Sequence, residues 1–205
     1  LADAVIEIVL ELAWNSLSRK FDGDPKFAVI AYGKLGGKEL GYASDLDLIY
    51  LYDDDRMDSD MVYTRLVRRM MNWLTMQTSS GRLFEVDLRL RPNGADGLVV
   101  SSFDSWQKYE RNEDGKGAWT WELQALTRAR FCAGDTSIGE KFEAERKRIL
   151  QSPRNRAELA SEVISMRQRM LDGHKNPTEL FDIKHDRGGM VDIEFVVQYL
   201  ALAYS

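Results

Sequence analysis

Two short apolar runs, "KFAVIAY" over residues 26–32 and "LDLIYLY" over 46–52, restrict the fold more than anything else in the chain. Both are too short for a helix and rich in strand formers, so they are expected as buried strands, the first ending at Gly33 and the second spanning about 45–52. The segment between and into the second run, "GKLGGKELGYASDLDLIYLY", brings Asp45 and Asp47 into alternation with leucines. An ionised carboxylate is costly to bury without a partner, so this strand calls for a cation at its start.

Periodicity sorts the remaining residues. Residues 2–19 repeat apolar side chains at helical spacing, with Val5, Val9, Leu12, Ala13 and Leu17 on one stripe. Residues 60–78 predict a second amphipathic helix, with Val62, Leu66, Met70 and Trp73 inward and Arg65, Arg68, Arg69 and Asn72 on a solvated basic face. In "RLFEVDLRLRP" the alternation is strict: Phe84, Val86, Leu88 and Leu90 fall on one side of a predicted strand, and Glu85, Asp87, Arg89 and Arg91 on the other. Beyond Gly97 and a short apolar stretch, helical patterns follow at 105–111, 119–131, 137–150, 157–172 and 189–204. No repeat or low-complexity linker interrupts them. The expected class is α/β in the broad, α+β sense: strands and helices mixed in the first two thirds, helices alone in the last.

Composition bounds the function. A 205-residue chain that is 44% hydrophobic has ample material for a core. A net charge of -5 gives no overall attraction to polyanions, so no nucleic-acid partner is expected. Cys132 is the sole cysteine, which excludes an internal disulfide and a Cys-rich zinc site and suits a reducing, cytoplasmic location. No apolar run reaches the roughly 18 to 20 residues of a spanning helix, and "LADAVIEIVLELAW" lacks the basic region of a secretory signal, so no membrane role is expected. That start, without Met, and the end "QYLALAYS", inside a helical pattern, suggest a piece of something longer.

Period-two alternation places Asp45 and Asp47 on one strand face about 6 to 7 Å apart, where both reach one small volume. Asp87, on another strand, is placed to complete a set of three hard oxygen donors suited to Mg²⁺. Two such ions roughly 3.5 to 4 Å apart clamp the attacking and leaving oxygens of an in-line nucleotidyl transfer. Gly33, Gly36 and Gly37 would let the backbone approach a phosphate, Ser44 would add a hydroxyl donor, and Arg89 and Arg91 would neutralise phosphate charge. Each has a plainer reading: a glycine turn, an exposed Asp-x-Asp, arginines that only pair with Glu85 and Asp87. The conjunction in one chain favours the chemistry.

The spacing from Gly33 through eleven residues to Asp45-x-Asp47, with Asp87 later, resembles the nucleotidyltransferase superfamily that includes polymerase beta. More closely, "YGKLGGKELGYASDLDLIYLYDD", "EVDLRLRPNGADGLVVSS", "AWTWELQALTRAR" and "FDIKHDRGGMVDIEF" look like the bacterial glutamine synthetase adenylyltransferases, whose two homologous halves add and remove AMP. The resemblance runs over nearly the whole chain. It implies a polymerase beta-like core with a mixed sheet over residues 1–134, and over 135–205 the start of a helical domain. It also implies ATP as substrate, Mg²⁺, expected as two ions, held by Asp45, Asp47 and Asp87, and a phosphate loop at Gly33 and Ser44. Glutamine synthetase would be the protein substrate, and a PII-type signal protein the regulator of the full-length enzyme. The wording "GKELGYASDLDL" and "NE...AWTWE" is similar to the C-terminal, adenylylating half, from which Asp114 to Gly117 depart as an insertion. The deadenylylating half, which yields ADP by phosphorolysis, is the alternative. An inert nucleotide- or regulator-binding module would have no use for three costly carboxylates. In "DIKHDRGGMVDIEF", Lys184 would reach a phosphate with Asp192 or Glu194 orienting it, or the segment is only a packed helix start. Trp119 and Trp121 are placed to stack on adenine or to serve the core, and His174 and His185 are expected at the surface.

Overall fold

The computed structural model describes residues 1–79, 81–94, 97–113, 115 and 117–205. In chain order the elements are α1 (Ala2–Ser16), β1 (Phe27–Ala31), α2 (Gly33–Gly36), β2 (Leu46–Tyr52), α3 (Ser59–Thr75), β3 (Gln77–Thr78), β4 (Gly81–Arg82), β5 (Val86–Asp87) and β6 (Ser101–Ser102). Then come α4 (Phe103–Glu110), α5 (Thr120–Leu126), β7 (Arg130–Gly134), α6 (Thr136–Leu150), α7 (Arg156–Gly173) and α8 (Met190–Tyr204). The expected mixed α/β fold, with helices alone in the last third, is what the structure shows. Asp114 and Lys116 of the expected insertion lie outside the described residues.

The sheet is mixed. β1 pairs antiparallel with β2 on one side and with β7 on the other, while β5 and β6 lie parallel to the two ends of β2. β1 is buried throughout because helices cover both sheet faces, which is why its sequence is continuously apolar rather than alternating. On one face α1 and α3 set Ile6, Leu10, Tyr63, Leu66 and Met70 against Val29, Leu48 and Tyr50. On the other, α4 and α6 set Trp106, Ile138 and Phe142 against Ala28, Ile30 and Ile49. α7 and α8 share a smaller cluster around Leu159, Val163 and Leu202.

Three expectations need correction. In α1 the inward face is Ala2, Ile6, Val9, Leu10, Ala13 and Trp14, and Leu12 is 53% exposed. Apolar residues cover all of this helix but the stripe of Asp3, Glu7, Glu11 and Asn15, so more than one inward face fits its sequence, and Trp14 stacks on Tyr63 in the one observed. The 119–131 pattern is helical only over Thr120–Leu126; from Arg130 the chain becomes β7, because the open edge of β1 offers backbone partners that a longer helix would leave unpaired.

The third correction concerns "RLFEVDLRLRP". Its extended pairing with β2 is limited to Val86 and Asp87. Asp87 Oδ1 accepts the Arg89 backbone N–H at 2.8 Å, a side-chain turn that ends the strand. Phe84, Val86 and Leu88 pack on the α1–α3 side of the sheet and Leu90 on the α4–α6 side. The alternating apolar residues therefore serve two cores, not one face.

Candidate active site

The site forms where β2 begins. Asp47 is the second residue of β2, and parallel register sets it opposite Asp87. The Leu46 N–H donates to the Glu85 carbonyl at 2.8 Å, fixing that register. Asp45 immediately precedes the strand. Asp45 is exposed and the other two are half-buried, and one oxygen from each carboxylate lies within 4.8 Å of the others.

Gly33 supports this cluster. Its φ of +52° favours glycine, and a Cβ there would lie 2.0 Å from Asp47 Oδ2. The Tyr32 N–H donates to the Asp47 carbonyl at 2.9 Å, holding the same residue through its backbone. Ser44 lies in the approach to Asp45, where its Oγ accepts the Gly41 N–H at 3.1 Å.

Like charges dominate the electrostatics. Burial first, then Asp45 and Asp87, pushes the Asp47 carboxyl up to about 6, against Arg89 and Lys34. Asp87 is held below its ordinary value by the Arg89 side chain, whose Nε donates to Oδ2 at 2.8 Å. Three hard oxygen donors at a solvent-open strand end, with too little positive charge nearby to ionise Asp47 normally, fit a divalent cation such as Mg²⁺.

The other sequence-derived candidates separate into two groups. Arg89 joins the cluster through Asp87, and its charge also acts with those of Asp45 and Asp47. Arg91 is tied to the backbone, its guanidinium donating to the Leu88 carbonyl at 2.7 Å and to the Gly97 carbonyl at 3.1 Å, while its charge also acts on Asp87. Gly36 and Gly37 face Arg128, where a Cβ at Gly36 would meet the Arg128 carbonyl at 2.1 Å. Their amides donate within the α2 turn, to the Tyr32 and Gly33 carbonyls.

Lys184 is exposed in the loop before α8, and its backbone N–H donates to Asp182 at 2.8 Å. Asp192 pairs with Arg167 and Glu194 with Arg128, so neither orients Lys184. Trp119 is 69% exposed at the start of α5 rather than in the core. His185 pairs with Asp182 at 2.9 Å and its ring lies 4.0 Å from that of His174, centroid to centroid. The residue missed by sequence reasoning is Lys34, exposed in α2 and acting on Asp47. Its place directly after the glycine that packs on Asp47 is the signal that identifies it.

Among the described residues, no helix is long and apolar enough to cross a membrane. The profile of the glutamate-ammonia ligase adenylyltransferase family matches residues 1–145. Similar curated proteins include the bifunctional glutamine synthetase adenylyltransferase/adenylyl-removing enzymes of Ralstonia nicotianae, at 57% identity, and Nitrosomonas europaea, at 54%. The protein of the same description from Burkholderia mallei is 55% identical. Each match takes in 100% of this chain and 22% of the relative, so the chain spans about a fifth of their length. Motifs, site and similarity agree: the chain belongs to the glutamate-ammonia ligase adenylyltransferase family.

Proposed function

We propose that this chain is the catalytic core of an adenylylating half, transferring AMP from ATP to a tyrosine hydroxyl of glutamine synthetase with release of pyrophosphate. The convergence of Asp45, Asp47 and Asp87 within 4.8 Å carries this reading. The three carboxylates would hold Mg²⁺, which when bound supplies charge neutralisation at the phosphates and favours the metal-assisted displacement. Gly33 keeps Asp47 aimed into the cluster and leaves room beside it. Lys34 and Arg89 bind triphosphate oxygens, Arg89 exchanging its contact with Asp87 for one with ATP, and Ser44 adds a hydroxyl. A tyrosine hydroxyl has an ordinary pKa near 10, so the acceptor needs a base at neutral pH. Asp87, once freed from Arg89, takes that proton.

The relatives' names carry both an adenylylating and an adenylyl-removing activity, which makes the removing half the second reading. Asp47→Asn in the full-length protein separates them. Loss of AMP incorporation from labelled ATP, with phosphate-dependent release of AMP-tyrosine intact, supports the adenylylating half. The reverse pattern assigns this chain to removal.

A further inference from the structure

The basic face of α3 has no part in the chemistry above. Arg65, Arg68, Arg69 and Asn72 line an open groove of about 420 Å³ together with Ser18 and Arg19, which follow α1. Several arginines elsewhere sit against the chain's own carboxylates, among them Arg56 on Asp54, Arg111 on Glu145 and Arg130 on Asp3, and others donate to backbone carbonyls. The four in the groove form no ion pair among the described residues, although the chain has 33 acidic residues to 28 basic ones. Arg69 is nevertheless held in place. Its Nη1 donates to Ser16 Oγ at 3.2 Å, and its guanidinium lies 5.9 Å from the Trp73 ring centroid.

Clustered cations without counter-charge repel one another, and an incoming anion relieves that cost. The end of α3 that carries Asn72 is hydrogen-bonded to the segment that carries Asp87. Two residues past Asn72, the Leu74 carbonyl accepts the Phe84 N–H at 3.1 Å, and Phe84 lies three residues before Asp87.

We infer that this groove docks an acidic polypeptide segment of the protein that receives the nucleotidyl group, an inference that rests on the acceptor being a protein. Guanidinium forks match carboxylates, and an open groove suits an extended segment better than a single enclosed anion. The net charge of -5 on the chain as a whole opposes a long nucleic acid. Charge complementarity of this kind acts on encounter and register, so it belongs in KM for the protein substrate rather than in kcat.

The test titrates a short fluorescent polyglutamate peptide into the full-length protein and its Arg65→Gln/Arg68→Gln variant. The variant should bind the peptide at least about tenfold more weakly, and its KM for glutamine synthetase should rise with kcat and the KM for ATP unchanged. Arg65→Lys/Arg68→Lys should retain most of the binding, and equal melting temperatures exclude misfolding as the cause. No peptide binding by the wild type, equal binding by the Gln variant, or tighter binding of a single-stranded oligonucleotide at the same groove would each overturn the inference. Peptide affinity is measured without ATP, so a failure of the proposed chemistry, seen as unchanged transfer in Asp47→Asn, is distinguishable from a failure of docking.

Discussion

Asp45, Asp47 and Asp87 meet at the open ends of β2 and β5, whereas Glu110 and Glu122, on α4 and α5, are 6% and 4% exposed. The first group has Arg89 and Lys34 beside it. Glu122 accepts the Trp119 N–H at 2.8 Å and the Tyr109 hydroxyl at 3.0 Å, and Glu110 Oε2 is buried with no hydrogen-bond partner. Burial, then the Glu122 carboxylate, pushes Glu110 up to about 8, so it keeps its proton at neutral pH. Like charge in the interior is relieved by protonation; like charge at the surface persists in ionised form when a cation is available. This difference is why the metal proposed above is assigned to the aspartates and not to the glutamates.

The largest effect that breaks the comparison should come from Asp45→Asn or Asp47→Asn. Each deletes a ligand charge without changing shape, and transfer should fall by about a hundredfold or more. Melting temperature should hold level or rise, since a repelling charge is removed. An Asn variant that keeps more than about a tenth of the rate, under roughly 1.4 kcal/mol in barrier height, would contradict the ligand assignment.

Arg89→Ala should weaken ATP binding by roughly ten- to a hundredfold, the worth of a charge-assisted phosphate contact. Arg91→Ala should leave ATP affinity near wild type and lower the melting temperature instead, because Arg91 ties the Leu88 and Gly97 carbonyls. ATP titrations with melting curves alongside check both; equal affinity losses would return Arg91 to the site.

Gly33→Ala should slow transfer by about tenfold and lower stability by roughly 1 to 2 kcal/mol, through its positive φ and displacement of Asp47. Wild-type kinetics in this variant would mean that the exact place of Asp47 is unimportant.

The last effect belongs to the glutamates and concerns stability alone, with no change in transfer. Between the unfolded value of 4.5 and the folded value of about 8, Glu110 holds a proton in the folded chain that the unfolded chain has released. Its stabilising contribution is complete below the unfolded pKa and is lost as pH rises through the folded one. Stability should therefore fall with pH across this window, by at most about 1.4 kcal/mol per unit from this group. Glu110→Gln should flatten that slope in denaturant titrations, and an unchanged slope would place the proton elsewhere.

How far the sequence reveals the site follows from which forces are local. β1, β2 and the pairing of Asp45 with Asp47 depend on a short apolar run and period-two geometry, and both are written in consecutive residues. β7 depends on the free edge of β1, about a hundred residues away in sequence, and no local periodicity announces it. The stretch after Asp87 alternates as a strand does, yet the Asp87–Arg89 turn ends the pairing, Leu88 and Leu90 go to different cores, and Arg91 donates to the Leu88 and Gly97 carbonyls. Lys34 escaped notice because a lone lysine in a glycine turn carries no pattern; only its nearness to Asp47 in space gives it meaning.

Whether Asp45, Asp47 and Asp87 together bind a divalent cation is read out by Mn²⁺ titration followed by electron paramagnetic resonance. Wild-type protein with a non-hydrolysable ATP analogue should bind Mn²⁺ in competition with Mg²⁺, and Asp47→Asn should lose about tenfold or more in affinity. Equal Mn²⁺ affinity in wild type and variant would contradict the account.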